Sequence, residues 1–385
     1  MTSEPVDGLV SGITRVNPAS LPRTQISYID IATADNTTKR LLAAQRIAAK
    51  SAPSRARQVV KTDDVLVSTV RPALNAVAMV PRWLDGEVAS TGFCVLRARP
   101  DRLAPAYLFF FTQSAPFVRH LTTVATGASY PAVTDDDVKD ARIPLPAMAE
   151  QKRIAAQLAE ADGLRRKRAL AIELGDGLLA ATFSEMFGNP VTNARGWERA
   201  RVCELGDVVT GNTPPRERAE YYGNDVEWIK SDNISLLHPH PSRAAECLSA
   251  KGAAVGRCVD AGALLLTCIA GSETSIGNVV LADRRVAFNQ QISAVIPHSE
   301  TDPLFLYGLF RTVKPLIQRS TTLAMKRMIT KGRLEELMVV RPPIAGQRQF
   351  AEKARHAEQL RRIQCEALRQ AEYLYQGLLQ RTFGM

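Results

Sequence analysis

The chain has 385 residues and a formal net charge of +10 at pH 7, long enough for two domains that each bury a core and basic enough to favour a polyanionic partner. No apolar run approaches the roughly 20 residues that span a bilayer, and the N-terminus lacks a basic start followed by an apolar signal core, so a cytoplasmic protein without a membrane anchor is expected. Six scattered cysteines (Cys94, Cys203, Cys247, Cys258, Cys268, Cys365) include no Cys-x-x-Cys pair and read as reduced core thiols, neither a disulfide framework nor a zinc site.

In chain order, residues 1–146 read as mixed α and β. Ile26–Ile31 and Val65–Val70 have strand composition, as do Ala76–Val80 and Cys94–Arg97 more weakly. The alanine-rich Lys39–Lys50 reads as a helix, and so does Ala106–Leu121 after Pro105. A loop, Thr126–Pro131, precedes Thr134 and the run Asp135-Asp136-Asp137. The run is placed to cap a short helix and satisfy its dipole, a reading preferred to a metal site. A long helix follows over 147–186, with an apolar stripe at Ile154, Leu158, Ala161, Leu164, Ala171, Leu174 and Leu178.

Gly188-Asn189-Pro190 stops that helix, and 187–343 forms a second globular part. This part mirrors the first. Val10–Thr14 matches Val209–Thr213, Tyr28-Ile29 matches Trp228-Ile229, Val65–Ser68 matches Leu264–Thr267, and Pro105–Leu108 matches Pro303–Leu306. The first copy begins near the equivalent of Leu205 and so is expected to lack the lead-in Trp197–Leu205. A second long helix, 344–385, carries its stripe at Phe350, Ala354, Ala357, Leu360, Ile363, Ala367, Ala371, Leu374 and Leu378. The early stripe positions match at a spacing of 196 and the Gly-Leu-Leu endings at 200, so the second helix is expected to be one turn longer. Alanine on both stripes favours close approach of the helices to each other. A duplicated module of domain plus helix is the organising feature.

The charge is clustered. From Lys39 to Lys61 there are seven cations (Lys39, Arg40, Arg46, Lys50, Arg55, Arg57, Lys61) without an acid, and from Arg311 to Arg333 seven more, Lys326, Arg327 and Lys331 among them. One such stretch per copy suits a duplex engaged by both. Gly211–Arg216 is a turn-forming loop with a cation, suited to placing amides near phosphate. Trp228–Asn233 ends a strand in hydrogen-bonding side chains of the kind that read base edges. Lys39, Arg40, Arg46, Arg55, Arg57, Lys326, Arg327 and Lys331 are thus candidates for phosphate. Ser129, Tyr130, Thr213, Arg216, Lys230, Ser231 and Asn233 are candidates for bases.

Catalytic patterns are lacking. Asn189-Pro190 is followed by Val191-Thr192 and not by the Pro-aromatic of an aminomethylase loop, and no phosphate-binding Gly-x-x-x-x-Gly-Lys-Ser/Thr occurs. A nuclease set of Asp101, Glu150 and Lys152 competes with an ordinary role for Glu150 in a first helical turn. His238 and His240 have no further ligands in sequence and read as loop residues.

Two variable domains, each ending in Ile143-Pro144-Leu145-Pro146 or Val340-Arg341-Pro342-Pro343, then Gln151 or Gln347, then a helix closing on Leu-Leu-x-x-Thr-Phe (to Phe183 and Phe383), resemble the specificity subunit of type I restriction-modification systems. The resemblance covers the whole chain and is most specific over the two boundary-plus-helix stretches. It implies an α+β fold of two target-recognition domains separated and followed by long helices that pack as an antiparallel coiled-coil pair. It also implies a chain without catalysis of its own, reading a bipartite double-stranded DNA target and recruiting two methyltransferase subunits and restriction/translocase subunits. S-adenosylmethionine, ATP and magnesium are then expected on those partners. A helix of about 32 residues would span roughly 48 Å, beyond one turn of duplex. The rival readings are a DNA-binding adaptor of another phage-defence or orphan modification system, and a protein-binding helical scaffold whose basic stretches are incidental.

Overall fold

The computed structural model describes residues 2–235, 239–320 and 327–384. They form two compact units: residues 1–169 with 366–385, and residues 170–365. The two long helices, Met148–Phe187 and Ile344–Phe383, are 40 residues each. Each unit therefore contains the opening of one helix and the closing segment of the other. Equal length replaces the expected extra turn. The Gly-Leu-Leu motif sits four residues earlier in the first helix, which then continues past Phe183 to Phe187 before Gly188, at φ +73°, stops it.

In the first unit, Val77–Met79, Val65–Ser68, Phe93–Ala98 and Val10–Ser11 form an antiparallel four-stranded sheet in that order. Thr14–Arg15, Ala56–Val59, Val88–Ser90, Gln25–Ile29 and Gln45–Ala48 make a five-stranded one, antiparallel except for the parallel pair Val88–Ser90 and Gln25–Ile29. Side chains alternate across a strand, so Val65 and Val67 pack with Tyr107, Phe111 and Phe117, while Leu66 packs with Ile29, Val80 and Phe93. Burial on both faces explains the unbroken apolar run at 65–67.

Two expected helices are different structures. Lys39–Lys50 is two short strands, Arg40–Leu41 against Ala34–Asp35 and Gln45–Ala48 against Gln25–Tyr28. Lys39 takes φ +56°, which no α-helix contains, and ladder bonds outweigh the weak preference of alanine. Ala106–Leu121 is split into Pro105–Phe111 and Ala115–Val124, because Ser114 caps a new helix with Pro116 in its first turn. The short helix Asp135–Lys139 is capped as expected. Thr134 Oγ1 accepts from Asp137 N at 3.1 Å, and Asp137 returns a carboxylate to Thr134 N at 2.7 Å. These bonds hold the Asp137 carboxyl below the usual range.

The second unit repeats this plan. Val279–Leu281, Leu264–Thr267, Ile292–Pro297 and Gly206–Thr210 give the four-stranded sheet. Cys258–Val259, Val286–Phe288, Val226–Ile229, Cys247–Leu248 and Tyr222–Gly223 give the five-stranded one, again with one parallel pair, Val226–Ile229 with Val286–Phe288. The lead-in is present in both copies: Ser3–Pro5 pairs with Arg142–Pro144 as Arg199–Arg201 pairs with Met338–Val340. The first copy thus begins earlier than its sequence match implied.

A buried glutamine fixes each helix to its domain, and its side chain is 1% exposed in both units. Gln151 accepts from Ala104 N at 2.9 Å and donates to the carbonyls of Arg102 and Pro146, each at 3.0 Å. Gln347 accepts from Asp302 N at 2.9 Å and donates to Pro342 O at 2.9 Å and Glu300 O at 3.4 Å. Each clamp satisfies backbone groups that burial would otherwise leave unpaired.

The helix stripes are buried unevenly. In the first unit Leu158 and Ala161 join Tyr375, Leu379 and Phe383 in the domain core, with Phe383 5.1 Å from the Tyr107 ring. In the second, Phe183 and Phe187, 5.0 Å apart, pack on Phe305 and Phe350 at ring distances of 5.2 to 5.9 Å. Between these ends Leu164, Leu170, Leu174, Leu178, Leu360, Ile363 and Leu374 are exposed, 40% to 67% of each side chain's residue surface being open.

Candidate nucleic-acid interface

In the second unit three turns meet at the end of strand Val226–Ile229: the loop after Thr210, the turn Lys230–Asn233, and the turn Asn289–Gln291 between Val286–Phe288 and Ile292–Pro297. Gly211 allows the meeting. A Cβ there would lie inside contact distance of the Phe288 and Asn289 carbonyl oxygens. Thr213 donates to Gln290 Oε1, and Ser231 Oγ donates to Gln291 Oε1 at 3.3 Å, which also accepts from Asn289 Nδ2 at 3.0 Å.

Beside these turns lies a charged cluster. Glu246 accepts from Arg216 Nη1 at 2.7 Å through one oxygen and from Lys230 Nζ through the other. The Arg216 guanidinium carbon is 4.8 Å from the ring centroids of both Tyr222 and Trp228, and Lys230 Nζ is 5.0 Å from Trp228. Hydrogen bonds from Lys230 and then Arg216 hold the Glu246 carboxyl below the usual carboxylate range. Four expected residues, Thr213, Arg216, Lys230 and Ser231, are therefore brought together. Trp228, which opens the segment singled out in the sequence, joins them, as do Glu246 and Gln290, which had no sequence signal of their own apart from the polar triplet Asn289–Gln291 between two apolar strands.

Asn233 is placed differently. It is buried, its Oδ1 accepts from Lys230 N at 2.9 Å, and its Nδ2 donates to Ser242 Oγ and Arg243 O, both at 3.1 Å. With both Nδ2 hydrogens and one Oδ1 lone pair engaged, it holds the turn. Of the second cationic stretch, Lys326 and the side chain of Arg327 lie outside the described residues. Lys331 is exposed, 3.5 Å from Glu335. Arg311 donates to Tyr307 Oη within its own helix, while Lys314 donates to Thr274 O and Asn278 Oδ1 and Arg333 to Ser320 O, so the last two tie separate segments together.

In the first unit the cationic stretch is divided between two places. Arg46 lies on the edge strand opposite Ser27, and Arg55 and Arg57 lie at Ala56–Val59 two strands beyond Gln25–Ile29. Arg46 and Arg55 are exposed, while Arg57 is half-buried with Nε on Ser54 O at 2.8 Å. Arg40 is exposed on the separate short ribbon, where its charge acts on Arg166. Arg166 and Arg165 flank the buried Asp162 at 2.6 and 2.8 Å, and Arg165 stacks on Tyr375 at 4.8 Å.

Lys39 departs from the expectation of a free phosphate cation. Its Nζ donates to Asn75 O at 2.6 Å and Oδ1 at 2.9 Å. Burial pushes its ammonium down to about 8, with Arg165 adding and Asp35 opposing. Ser129 and Tyr130 are exposed, and Arg71 lies over the Tyr130 ring at 4.6 Å, a pairing that sequence reading missed.

The catalytic readings gain nothing. Glu150 pairs with Arg153 at 2.6 Å in the first helical turn, and His240 Nδ1 lies 2.8 Å from Leu281 O, while His238 is outside the described residues. Among the described residues no three His, Cys, Asp or Glu side chains group as metal ligands, and no helix is long and apolar enough to cross a membrane.

A family model described as the type I restriction modification DNA specificity domain matches residues 24–174 and again 194–354. The type I restriction enzyme HindI specificity subunit of Haemophilus influenzae is 24% identical over 73% of this chain and 76% of its own length. A putative type I restriction enzyme MjaX specificity subunit from Methanocaldococcus jannaschii is 22% identical over 72% and 67%. A solved chain from work on complex assembly and conformational transition of the type I R-M system is 28% identical, with a TM-score of 0.62, covering 99% of this chain and 97% of that one. The S subunit of a type I restriction-modification system from M. genitalium shares the fold, at 12% identity and a TM-score of 0.63 over 99% and 96%.

Proposed function

We infer the function from one premise: the chain belongs to the family of type I restriction-modification DNA specificity proteins, being a specificity subunit with two recognition domains. Its partners are accordingly DNA and a restriction-modification complex. In our reading residues 1–146 and 187–343 each read one half of a bipartite duplex site, and 147–186 and 344–385 are the spacer helices. The chain is non-catalytic and cytoplasmic. Two methyltransferase subunits with S-adenosylmethionine, and restriction/translocase subunits with ATP and magnesium, carry the chemistry. Exposed large apolar side chains on the helix segments of each unit (Leu164 and Leu374 in the first; Leu170, Leu174, Leu178, Leu360 and Ile363 in the second) support partner docking on these segments.

The observation that carries the reading is the repetition itself: each unit has the same four-stranded sheet and a second sheet with four equivalent strands and the same single parallel pair, while the fifth strand lies on opposite edges (Thr14–Arg15 beside Ala56–Val59, Tyr222–Gly223 beside Cys247–Leu248) and the residues at the strand ends differ. A repeated scaffold with unlike contact residues suits two separate readouts. Arg40, Arg46, Arg55, Arg57 and Lys331 are assigned to phosphate, with Lys326 and Arg327 retained from sequence. Ser129, Tyr130, Thr213, Arg216, Lys230 and Ser231 are assigned to bases. Lys39 and Asn233 are assigned to holding the loops. Co-expression with the methyltransferase and mapping of methylated adenines tests this reading. Two short half-motifs around a fixed spacer are expected, and a continuous motif or no methylation would contradict it.

A further inference from the structure

We propose that Arg216 reads a guanine in the half-site of the second recognition domain and that Glu246 is its positioning residue. The inference rests on the specificity reading above and names what one element of that surface recognises.

The cluster combines properties that stability alone does not require. Arg216 is 54% exposed by its side chain and Glu246 38%, so their ion pair adds little to folding. Yet the guanidinium is held from three directions. Glu246 engages Nη1, and the Tyr222 and Trp228 rings each lie 4.8 Å from Cζ. Those rings are themselves fixed. Tyr222 Oη donates to Pro214 O at 2.7 Å, and the two rings meet edge-on at 6.1 Å. Trp228 is 3% exposed and its Nε1 has no hydrogen-bond partner among the described residues, so it is placed for its face and not for its N–H.

An arginine serving phosphate needs only charge and reach. One serving guanine must present two coplanar N–H groups to O6 and N7 at a set angle. Among the described residues Arg216 hydrogen-bonds only through Nη1, which leaves Nε and Nη2 to form that fork. Glu246 also draws the Lys230 ammonium to its other oxygen, off the open edge of Arg216. One carboxylate thus sets the angle of one cation and neutralises part of the charge of both, which favours sequence-dependent contact over indiscriminate attraction to phosphate.

The test uses the full chain in complex with its methyltransferase, as wild type, Arg216→Lys, Arg216→Ala and Glu246→Gln. Methylated adenines are mapped, and binding to cognate and scrambled duplexes is measured against salt. Arg216→Lys keeps the charge but not the planar fork. It should retain the salt slope and melting temperature while one guanine of the second domain's half-motif loses discrimination by about tenfold or more. Glu246→Gln should relax the same position and steepen the salt dependence on scrambled duplex. Arg216→Ala should both relax that position and flatten the slope. A wild-type split motif that survives unchanged in Arg216→Lys and Glu246→Gln, or relaxation at a base other than guanine, would overturn the proposal and leave the specificity reading standing. A wild type without a split motif would overturn both.

Discussion

The two units share the four-stranded sheet and four strands of the larger one, and they differ in its edge strand and at the end of one central strand. Gln25–Ile29 in the first runs into Asp30, whose carboxylate accepts from Ile31 N at 2.6 Å and closes a turn on itself. Val226–Ile229 in the second runs into Lys230, which reaches out to Glu246 beside Arg216. One position is thus an exposed acid bonded to its own turn and the other a half-buried cation paired with the Glu246 carboxylate. Burial constrains the sheet residues alike in both copies, whereas the strand ends are free to diverge, and divergence there is what two unlike half-sites require. The two half-motifs should therefore differ from each other and not be repeats of one sequence.

The largest effects should come from breaking what each unit borrows. The C-terminal segment belongs to the core of the first unit, so Phe383→Ala should cost about 3–5 kcal/mol, as for other large aromatic truncations in a core. In limited proteolysis its cleavage sites should open first within residues 2–146, although the substitution follows the second domain in sequence. Opening within 187–343 instead would contradict the assignment of that helix end.

Next come the shared clamps. Gln151→Leu and Gln347→Leu each strand one backbone N–H and two carbonyls, which costs about 1–3 kcal/mol for each group left unpaired. Denaturant unfolding should show similar losses for the two variants. A loss confined to one of them would show that the units are clamped differently.

A gentler change sharpens the contrast between phosphate and base contacts. Arg46→Ala and Arg55→Ala in the first unit should each reduce the slope of log affinity against log salt by about 1 without altering the methylated motif. A changed motif with an unchanged slope would move that residue to base reading.

The smallest effect concerns Lys39, which ionises at about 8 in the folded chain and near 10.5 when unfolded. Below about pH 8 both states hold the proton and the group adds no slope. From about pH 8 to 10.5 only the unfolded chain keeps it, so the stability of wild type relative to Lys39→Met should rise with pH over that window. Pairwise pH-dependent unfolding measures it; a flat difference would place Lys39 in solvent, and a falling one would mean its ammonium is stabilised by folding.

What could be read from the sequence follows from where the forces lie. Val65–Ser68 and Leu264–Thr267 are buried on both faces and announce themselves as unbroken apolar strands. The capped Asp135–Lys139 helix was visible because its capping partners, Thr134 and Asp137, are close in sequence, and the boundary glutamines because each follows a proline boundary five residues on, although their other partners lie 45 to 49 residues away. Gln45–Ala48 reads as a helix by composition because an exposed edge strand shows no periodic face, and its ladder partner lies about 20 residues earlier. Glu246 was invisible for a similar reason, being separated from Arg216 by 30 residues and from Lys230 by 16. The placement of the last helix end was equally hidden, since Tyr375 meets Gln113 across 262 residues. The duplication itself needed no contacts to be seen.

The most direct test of the account is the methylated-adenine map of wild type beside Arg216→Ala. Two unlike half-motifs are predicted around a fixed spacer, with the substitution relaxing a position in one half and leaving the other untouched. A single continuous motif, or relaxation spread over both halves, would contradict the claim that each unit reads its own part of the site.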